Sequence, residues 1–327
     1  MQMTKTPMRI SIGGGGTDVP AYYERYGGFL ITAAISRHIY IGINNTFNDK
    51  YVLKYSELER CSSIDEIQHP IIREALKLHP VDHGIEITSS ADIPAGTGLG
   101  SSGSFAVGLL NALRAYGHEN FSKQELAEEA CHLEIDILQQ PVGKQDQYAA
   151  AFGGFITMDI DKSGNVVVEP LKISKETFHD LEDNLMLFFT GYSRRASIEL
   201  DKQSSGIKKD DGSMIDNLHF VKDLGLQIKS TLEAGDCVKF AEYMHDHWLR
   251  KMKRTDSMSS SQINDWYEHG RRNGAIGGKL VGAGGGGFLL FYAEDKKRLR
   301  RAMAEVGLVE ERFRFDLDGS QILFREV

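Results

Sequence analysis

The sequence of 327 residues lacks a disulfide framework, a membrane-length apolar run and an excess of basic charge. Its three cysteines, Cys61, Cys131 and Cys237, are widely spaced and odd in number. That excludes a disulfide-stapled scaffold and a zinc-finger pattern, and reduced, buried thiols are expected. No stretch is apolar for long enough to span a bilayer, so no membrane partner is expected. The N-terminus, Met1-Gln-Met-Thr-Lys-Thr, lacks the apolar stretch of a secretory signal, which makes the cytoplasm the expected compartment. Net charge is −8, with 38 lysines and arginines against 46 aspartates and glutamates. Nucleic acid is therefore not an expected partner, because its backbone demands a basic face. An anionic small molecule would have to be held by a local site working against an acidic global field. Solenoid repeats and Pro/Ser linkers are also missing.

What is present is a globular balance of 41% hydrophobic and 26% charged residues, in a chain long enough for about two domains. The 34 glycines concentrate in three clusters, Gly13 to Gly16, Gly96 to Gly103 and Gly282 to Gly287. Arg9-Ile-Ser-Ile, Phe29 to Ile35, His38 to Asn44 and Gly84 to Ser89 carry the β-branched, alternating pattern of strands. Phe105, Ala106, Leu109, Leu110 and Leu113 then follow helical spacing. Ser122, with Glu125 three residues later, starts a second predicted helix running to about Leu138. A strand is expected from Asn184 and helices around 218–233, 236–253 and 261–273. Closing strands at 288–292 and 321–325 flank a helix near 296–306. Strands and helices mix without regular βαβ alternation, so the predicted class is α+β. The expected domains are residues 1–173 and 174–327, divided after the hairpin that contains Gly164.

The segment from Pro94 to Phe105 is the most informative. Its glycines, Gly96, Gly98 and Gly100 around Leu99, let backbone approach a ligand closely, and the helix that follows offers unpaired N–H groups. With the positive end of the helix dipole they make an anion site without a side-chain cation. Ser101 and Ser102 fall in the first helical turn, where a hydroxyl reaches a phosphate oxygen or its magnesium; Gly103 and Ser104 complete the loop. A P-loop would need a lysine here, and a dinucleotide fingerprint would need a following βαβ unit; neither is present. Taken alone, such a turn can also simply cap a helix.

The loop resembles the Pro-x-x-x-Gly-Leu-Gly-Ser-Ser motif of the galactokinase, homoserine kinase, mevalonate kinase and phosphomevalonate kinase (GHMP) superfamily. Two further segments are similar to the remaining motifs, in the same order: Pro7-Met-Arg-Ile-Ser-Ile-Gly-Gly-Gly-Gly-Thr-Asp18 and Lys279-Leu-Val-Gly-Ala-Gly-Gly-Gly-Gly-Phe288. The resemblance implies an N-terminal domain like that of ribosomal protein S5 and a ferredoxin-like C-terminal domain. It further implies ATP and Mg2+ as cofactors and a small hydroxyl-bearing acceptor. Pro141 to Gly154, Phe189 to Ser197 and His245-Asp-His-Trp248 resemble the D-glycero-D-manno-heptose 7-phosphate kinase branch, whose acceptor is a sugar phosphate.

Phosphoryl transfer needs a metal on the phosphates, a group that positions or deprotonates the acceptor hydroxyl, and positive charge on the moving phosphoryl. The resemblance assigns Asp146 to the hydroxyl, and Glu134 with Ser102 to the magnesium. Arg9 would support Asp146 or the transferring group. Asp18 would hold sugar hydroxyls, on a loop formed by Gly14, Gly15, Gly16 and Thr17. Gly284 and Gly285 of the last motif would close over the substrate. Galactokinases read Gly-Glu-His-Thr-Asp where this chain reads Gly14-Gly-Gly-Thr-Asp18, and the lost glutamate and histidine favour a larger, anionic sugar. Lys144, Arg194 and Arg195, with Tyr192, are the expected holders of that sugar's phosphate. His245 and His247 lie two apart on one predicted helix and face different sides, so packing rather than metal binding is expected of them.

Overall fold

The computed structural model describes residues 1–47, 49–81, 84–191, 204–207, 211–252, 261–282 and 286–325. The chain opens with β1 (Gln2–Gly13), α1 (Pro20–Tyr26) and β2 (Gly28–Asn45). The two strands expected at 29–35 and 38–44 are one continuous strand, because Ser36-Arg37 contains no turn residue to separate them. Its length positions much of the fold. Along one side β2 pairs antiparallel with β1 over nearly its whole span. On the other side its second half pairs with β5 (Ile85–Ala91) and its first half with β6 (Phe155–Ile160). Strands β3 (Tyr51–Lys54), β4 (Leu58–Cys61) and β7 (Val166–Pro170) extend this to seven strands, and the last strand of the chain adds the eighth beside β1.

Between these strands run α2 (Pro70–Leu78), α3 (Ser101–Tyr116), α4 (Lys123–Cys131) and α5 (Gln145–Phe152). Helix α3 packs on β1 and β2 through Ala106, Leu109, Leu110 and Leu113, all buried. Each such leucine contributes roughly 1.5–3 kcal/mol of burial. Helix α4 begins on a capping box in which Ser122 and Glu125 satisfy each other's backbone donors, as its sequence predicts. The helical path does run on to Leu138, but as a π-turn over His132–Ile137, closed by Leu138 N–H donating to Leu133 O at 3.0 Å. Such wide turns concentrate at functional sites, and this one carries Glu134.

The second half holds α6 (Lys175–Asn184), β8 (Leu185–Phe189), α7 (Gly212–Glu233), α8 (Cys237–Met252), α9 (Ser261–Arg272), β9 (Gly277–Leu280), β10 (Phe288–Tyr292), α10 (Lys296–Glu305) and β11 (Glu310–Glu311). Its strands form a four-stranded antiparallel sheet in the order β11-β8-β10-β9. A separate core built on Trp248, Tyr267, Phe188 and Phe291 lies against it. Residue 173 falls between β7 and α6. The last strand, β12 (Gln321–Arg325), crosses back over that division and pairs antiparallel with β1. Two sheets with helices distributed around them make the α+β architecture predicted from the pattern. Among the described residues no helix is long and apolar enough to cross a membrane, and all three cysteines are buried and free.

Candidate active site

A cleft of about 830 Å³ runs between the large sheet's loops and β9. Its floor is the turn that precedes α3. Gly96, Gly98 and Gly100 all hold positive φ there (78°, 86° and 77°), and Gly100 is the left-handed residue from which α3 starts. Gly98 also meets Gly282, itself at φ 83°, so closely that a Cβ on Gly98 would lie 2.6 Å from the Val281 carbonyl oxygen. The first and last parts of the chain thus meet backbone to backbone, which only glycine permits. Pro94, Gly96, Gly98, Gly100, Ser101 and Ser102 line the cleft. Leu99, Gly103 and Ser104 lie beneath it, and Ser104 Oγ donates to Pro7 O at 2.8 Å. The latter three therefore shape the loop instead of facing a ligand.

Arg9 joins the phosphate loop to α5. Its Nε donates to Asp146 Oδ1 at 2.8 Å, its Nη2 lies 2.6 Å from the same oxygen, and its Nη1 donates to Gly98 O at 2.6 Å. The second oxygen, Asp146 Oδ2, faces the loop, 3.2 Å from where a Cβ on Gly100 would be. Asp146 is neither a turn nor a cap residue; it stands in the first turn of α5.

Glu134 is fully buried. Ser102 Oγ donates to its Oε1, and Gln147 Nε2 donates to its Oε2 at 2.6 Å. Burial pushes this carboxyl up to about 7, with the nearby Asp146 charge acting in the same direction and the two hydrogen bonds opposing them. A carboxylate bonded to a hydroxyl at a helix start suits magnesium, which takes one or two carboxylates and completes its shell with phosphate oxygens and water. The pair fits that ion. No cluster of three or more His, Cys, Asp or Glu able to hold a metal alone occurs among the described residues.

The glycine loop after β1 forms the opposite wall. Gly15, Gly16 and Asp18 line the cleft. Asp18 accepts from Gly16 N–H and Gln145 N–H, both at 3.0 Å, and burial raises its carboxyl above the ordinary value. Thr17 does not face the cleft: its hydroxyl donates to Gly14 O and Phe29 O, each at 2.9 Å, which fastens the loop to β2. Gly14 lies against the same Phe29 carbonyl.

Lys144 is not brought to the cleft. Its amine donates to Gly164 O and lies over the Tyr23 ring, 5.3 Å from the centroid, because the hairpin between β6 and β7 supplies the nearest carbonyl. Tyr192, Arg194, Arg195, Gly284 and Gly285 lie outside the described residues. The histidine pair divides as helical spacing requires. His245 bonds Tyr267 OH at 2.7 Å, while His247 and, one turn on, Lys251 line the cleft. So a packing role describes His245 and Trp248 but not His247.

Three features carried no role in the sequence. Gln147 holds Glu134 and shows nothing but its place one turn into α5. Tyr55, His69 and Phe105 form an aromatic end of the cleft, with His69 edge-on to Tyr55 at 4.8 Å and tilted against Phe105 at 4.9 Å. No motif links them, since β3, α2 and α3 bring them together. Lys279, which opens the last motif, is buried on β9, where burial and then the Arg9 charge push its amine down to about 7.

Backbone donors at a helix start, a paired arginine and aspartate across them, and an aromatic end make a site for moving a phosphoryl group from a nucleotide. By fold and site the protein is thus a kinase, of the kind that cradles phosphates without a P-loop lysine. Comparison with known families gives the particular one. Residues 67–154 match the GHMP kinases N terminal domain, and residues 228–308 match the GHMP kinases C terminal domain. The chain belongs to the GHMP kinases and has their two-domain fold; it is an ATP-dependent kinase.

Among curated relatives, a D-glycero-alpha-D-manno-heptose 7-phosphate kinase of Campylobacter jejuni is 29% identical over 97% of each chain. An L-fucokinase/L-fucose-1-P guanylyltransferase of Bacteroides fragilis is 26% identical over 92% of this chain and 36% of its own length. Among solved structures, a D-glycero-D-manno-heptose 1-phosphate kinase from Bacteriodes thetaiotaomicron superposes over the full length of both chains, with TM-score 0.81 and 25% identity.

Proposed function

We propose that this kinase transfers the γ-phosphoryl group of ATP to the anomeric hydroxyl of D-glycero-D-manno-heptose 7-phosphate, giving the 1,7-bisphosphate and ADP. The product would supply nucleotide-activated heptose for a surface polysaccharide. The observation that carries the reading is the Arg9–Asp146 pair, held against the start of α3 with Asp146 Oδ2 turned to the loop. The base occupies the Tyr55–His69–Phe105 end, and the phosphates lie on the N–H groups of the loop. The acceptor occupies the wall of Gly15, Gly16 and Asp18. Gln145 lines that wall, and its buried Nε2 has no hydrogen-bond partner among the described residues, so it can donate to a sugar oxygen.

Asp146 Oδ2 accepts or aligns the proton of the attacking hydroxyl while its oxygen bonds to phosphorus and the bond to ADP breaks. Arg9 holds that carboxylate and the loop in one geometry. Ser102 and Glu134 would hold magnesium, which supplies charge to the phosphate oxygens when bound. The cleft wall lacks the glutamate and histidine of galactokinase-like loops, which favours an anionic sugar, as does the heptose phosphate kinase among the relatives. The fucokinase relative favours a second reading, an unphosphorylated sugar.

ADP release with ATP and magnesium across heptose 7-phosphate, mannose, fucose, galactose and mevalonate separates the two. Turnover on the heptose phosphate alone is expected. Turnover on fucose but not on the heptose phosphate would replace the first reading by the second.

A further inference from the structure

Lys279 is the cleft residue for which the reaction described so far has no use. The alternation of β9 turns Gly277 and Lys279 toward α8 and the cleft, while Leu280 joins Phe291 and Tyr267 in the smaller core. The Lys279 side chain is 2% exposed. Its Nζ donates to Ile12 O at 2.8 Å, its one hydrogen bond among the described residues, which leaves one N–H on the neutral amine and two on the ammonium for a ligand. Arg9 from β1 is the charged group that acts on it, and Asp146 from α5 already held by Arg9, Asp18 from the glycine loop, and His247 and Lys251 from α8 line the same cleft. Burial and Arg9 both lower its affinity for a proton, and no carboxylate offsets them. Such an amine holds its proton weakly until an anion arrives beside it.

We propose that Lys279 is a phosphoryl-binding residue, which takes a proton from solvent as a phosphoryl dianion enters the cleft beside Arg9 and then holds that group as an ammonium. The inference rests on the kinase reading for the nature of the anion, and the anion has two sources. It is either the terminal phosphoryl of the nucleotide or the phosphate that the acceptor itself carries. Since the amine holds its proton weakly in the empty cleft, it adds less positive charge beside Arg9 and Lys251 than an ordinary lysine would.

Calorimetric titration at pH 8, in two buffers of different ionisation enthalpy, counts the protons taken up on binding. AMPPNP, heptose 7-phosphate and inorganic phosphate are titrated separately. At that pH a phosphate monoester such as heptose 7-phosphate, with a second pKa of about 6, is already dianionic. The protonated remainder of inorganic phosphate or AMPPNP would release protons on binding as the dianion, so uptake that vanishes in the Lys279 variants belongs to that amine. The wild type is expected to take up about one proton with the ligand whose phosphoryl group Lys279 holds. Uptake with AMPPNP assigns the nucleotide; uptake with heptose 7-phosphate assigns the acceptor. Lys279→Met is expected to bind that ligand at least tenfold more weakly and without uptake. Lys279→Arg, charged throughout, is expected to bind within about threefold of wild type and also without uptake; it decides the matter if the methionine variant does not fold. No uptake by the wild type with any of the three ligands overturns the proposal, and so does uptake that persists in either variant. Uptake with AMPPNP alongside no turnover on heptose 7-phosphate would refute the acceptor reading and leave Lys279 in place.

Discussion

Replacing Glu134 by glutamine should make the empty protein more stable and the kinase nearly inactive. The carboxyl sits in full burial, raised from 4.5 to about 7. A group that holds its proton more tightly when folded contributes stability that is complete below about 4.5 and is lost as pH rises through about 7. Each pH unit between those values is worth about 1.4 kcal/mol, so at pH 8 the ionised side chain costs the empty fold about 3 kcal/mol. Glutamine keeps an oxygen for Ser102 and never ionises. Its amide can donate to Gln147 Oε1, which is buried without a hydrogen-bond partner among the described residues. Urea unfolding followed by tryptophan fluorescence, in EDTA, should therefore find the variant more stable than wild type by about 1 kcal/mol at pH 5.5 and about 3 kcal/mol at pH 8. The same variant should lose at least about 100-fold in kcat, and with it the stabilisation that magnesium nucleotide gives the wild type. A gap that fails to widen with pH, or a variant less stable than wild type at pH 8, would refute the reasoning.

Other consequences can be checked with kinetics. A Cβ at position 143 would lie 1.9 Å from Asp18 Oδ2, so Gly143→Ala must displace that carboxylate; KM for the sugar should rise at least tenfold while KM for ATP stays within about twofold. Asp18→Asn turns an amide toward one of the two N–H groups that the carboxylate accepts, at a cost of about 1–3 kcal/mol in acceptor binding, read as kcat/KM for the sugar. Arg9→Met releases both Asp146 and Gly98 O, and kcat should fall by about 100-fold or more without a matching change in nucleotide affinity. Asp146→Asn separates base from aligner: a residual rate within about tenfold of wild type across pH would argue against an essential base.

What was legible in the sequence was local. The glycine turn before α3, the capping box at Ser122 and the helical phase that parts His245 from His247 all depend on residues within one or two turns of each other. The merging of two expected strands into β2 needed only the absence of a turn signal at Ser36-Arg37. Side-chain direction and burial were not legible, because they come from segments far apart in sequence. Lys144 was expected in the cleft, yet the carbonyl of Gly164, twenty residues on, draws its amine the other way. Lys279 reads as an ordinary lysine in a glycine-rich motif until β1 and α8 close over it. The π-turn at Glu134 gives no periodic signal, since one i→i+5 bond alters the phase by a single residue. The aromatic end of the cleft is assembled from Tyr55 just after β3, His69 at the start of α2 and Phe105 on α3, with no shared motif.

The central claim is most directly tested by 31P NMR of the product formed from heptose 7-phosphate, ATP and magnesium. The account predicts a new anomeric phosphate resonance split by the C1 proton and ADP in equal amount, with the 7-phosphate resonance retained; both new signals grow far more slowly with Asp146→Asn. ADP without a new sugar phosphate resonance, or a new resonance at a carbon other than C1, would contradict it.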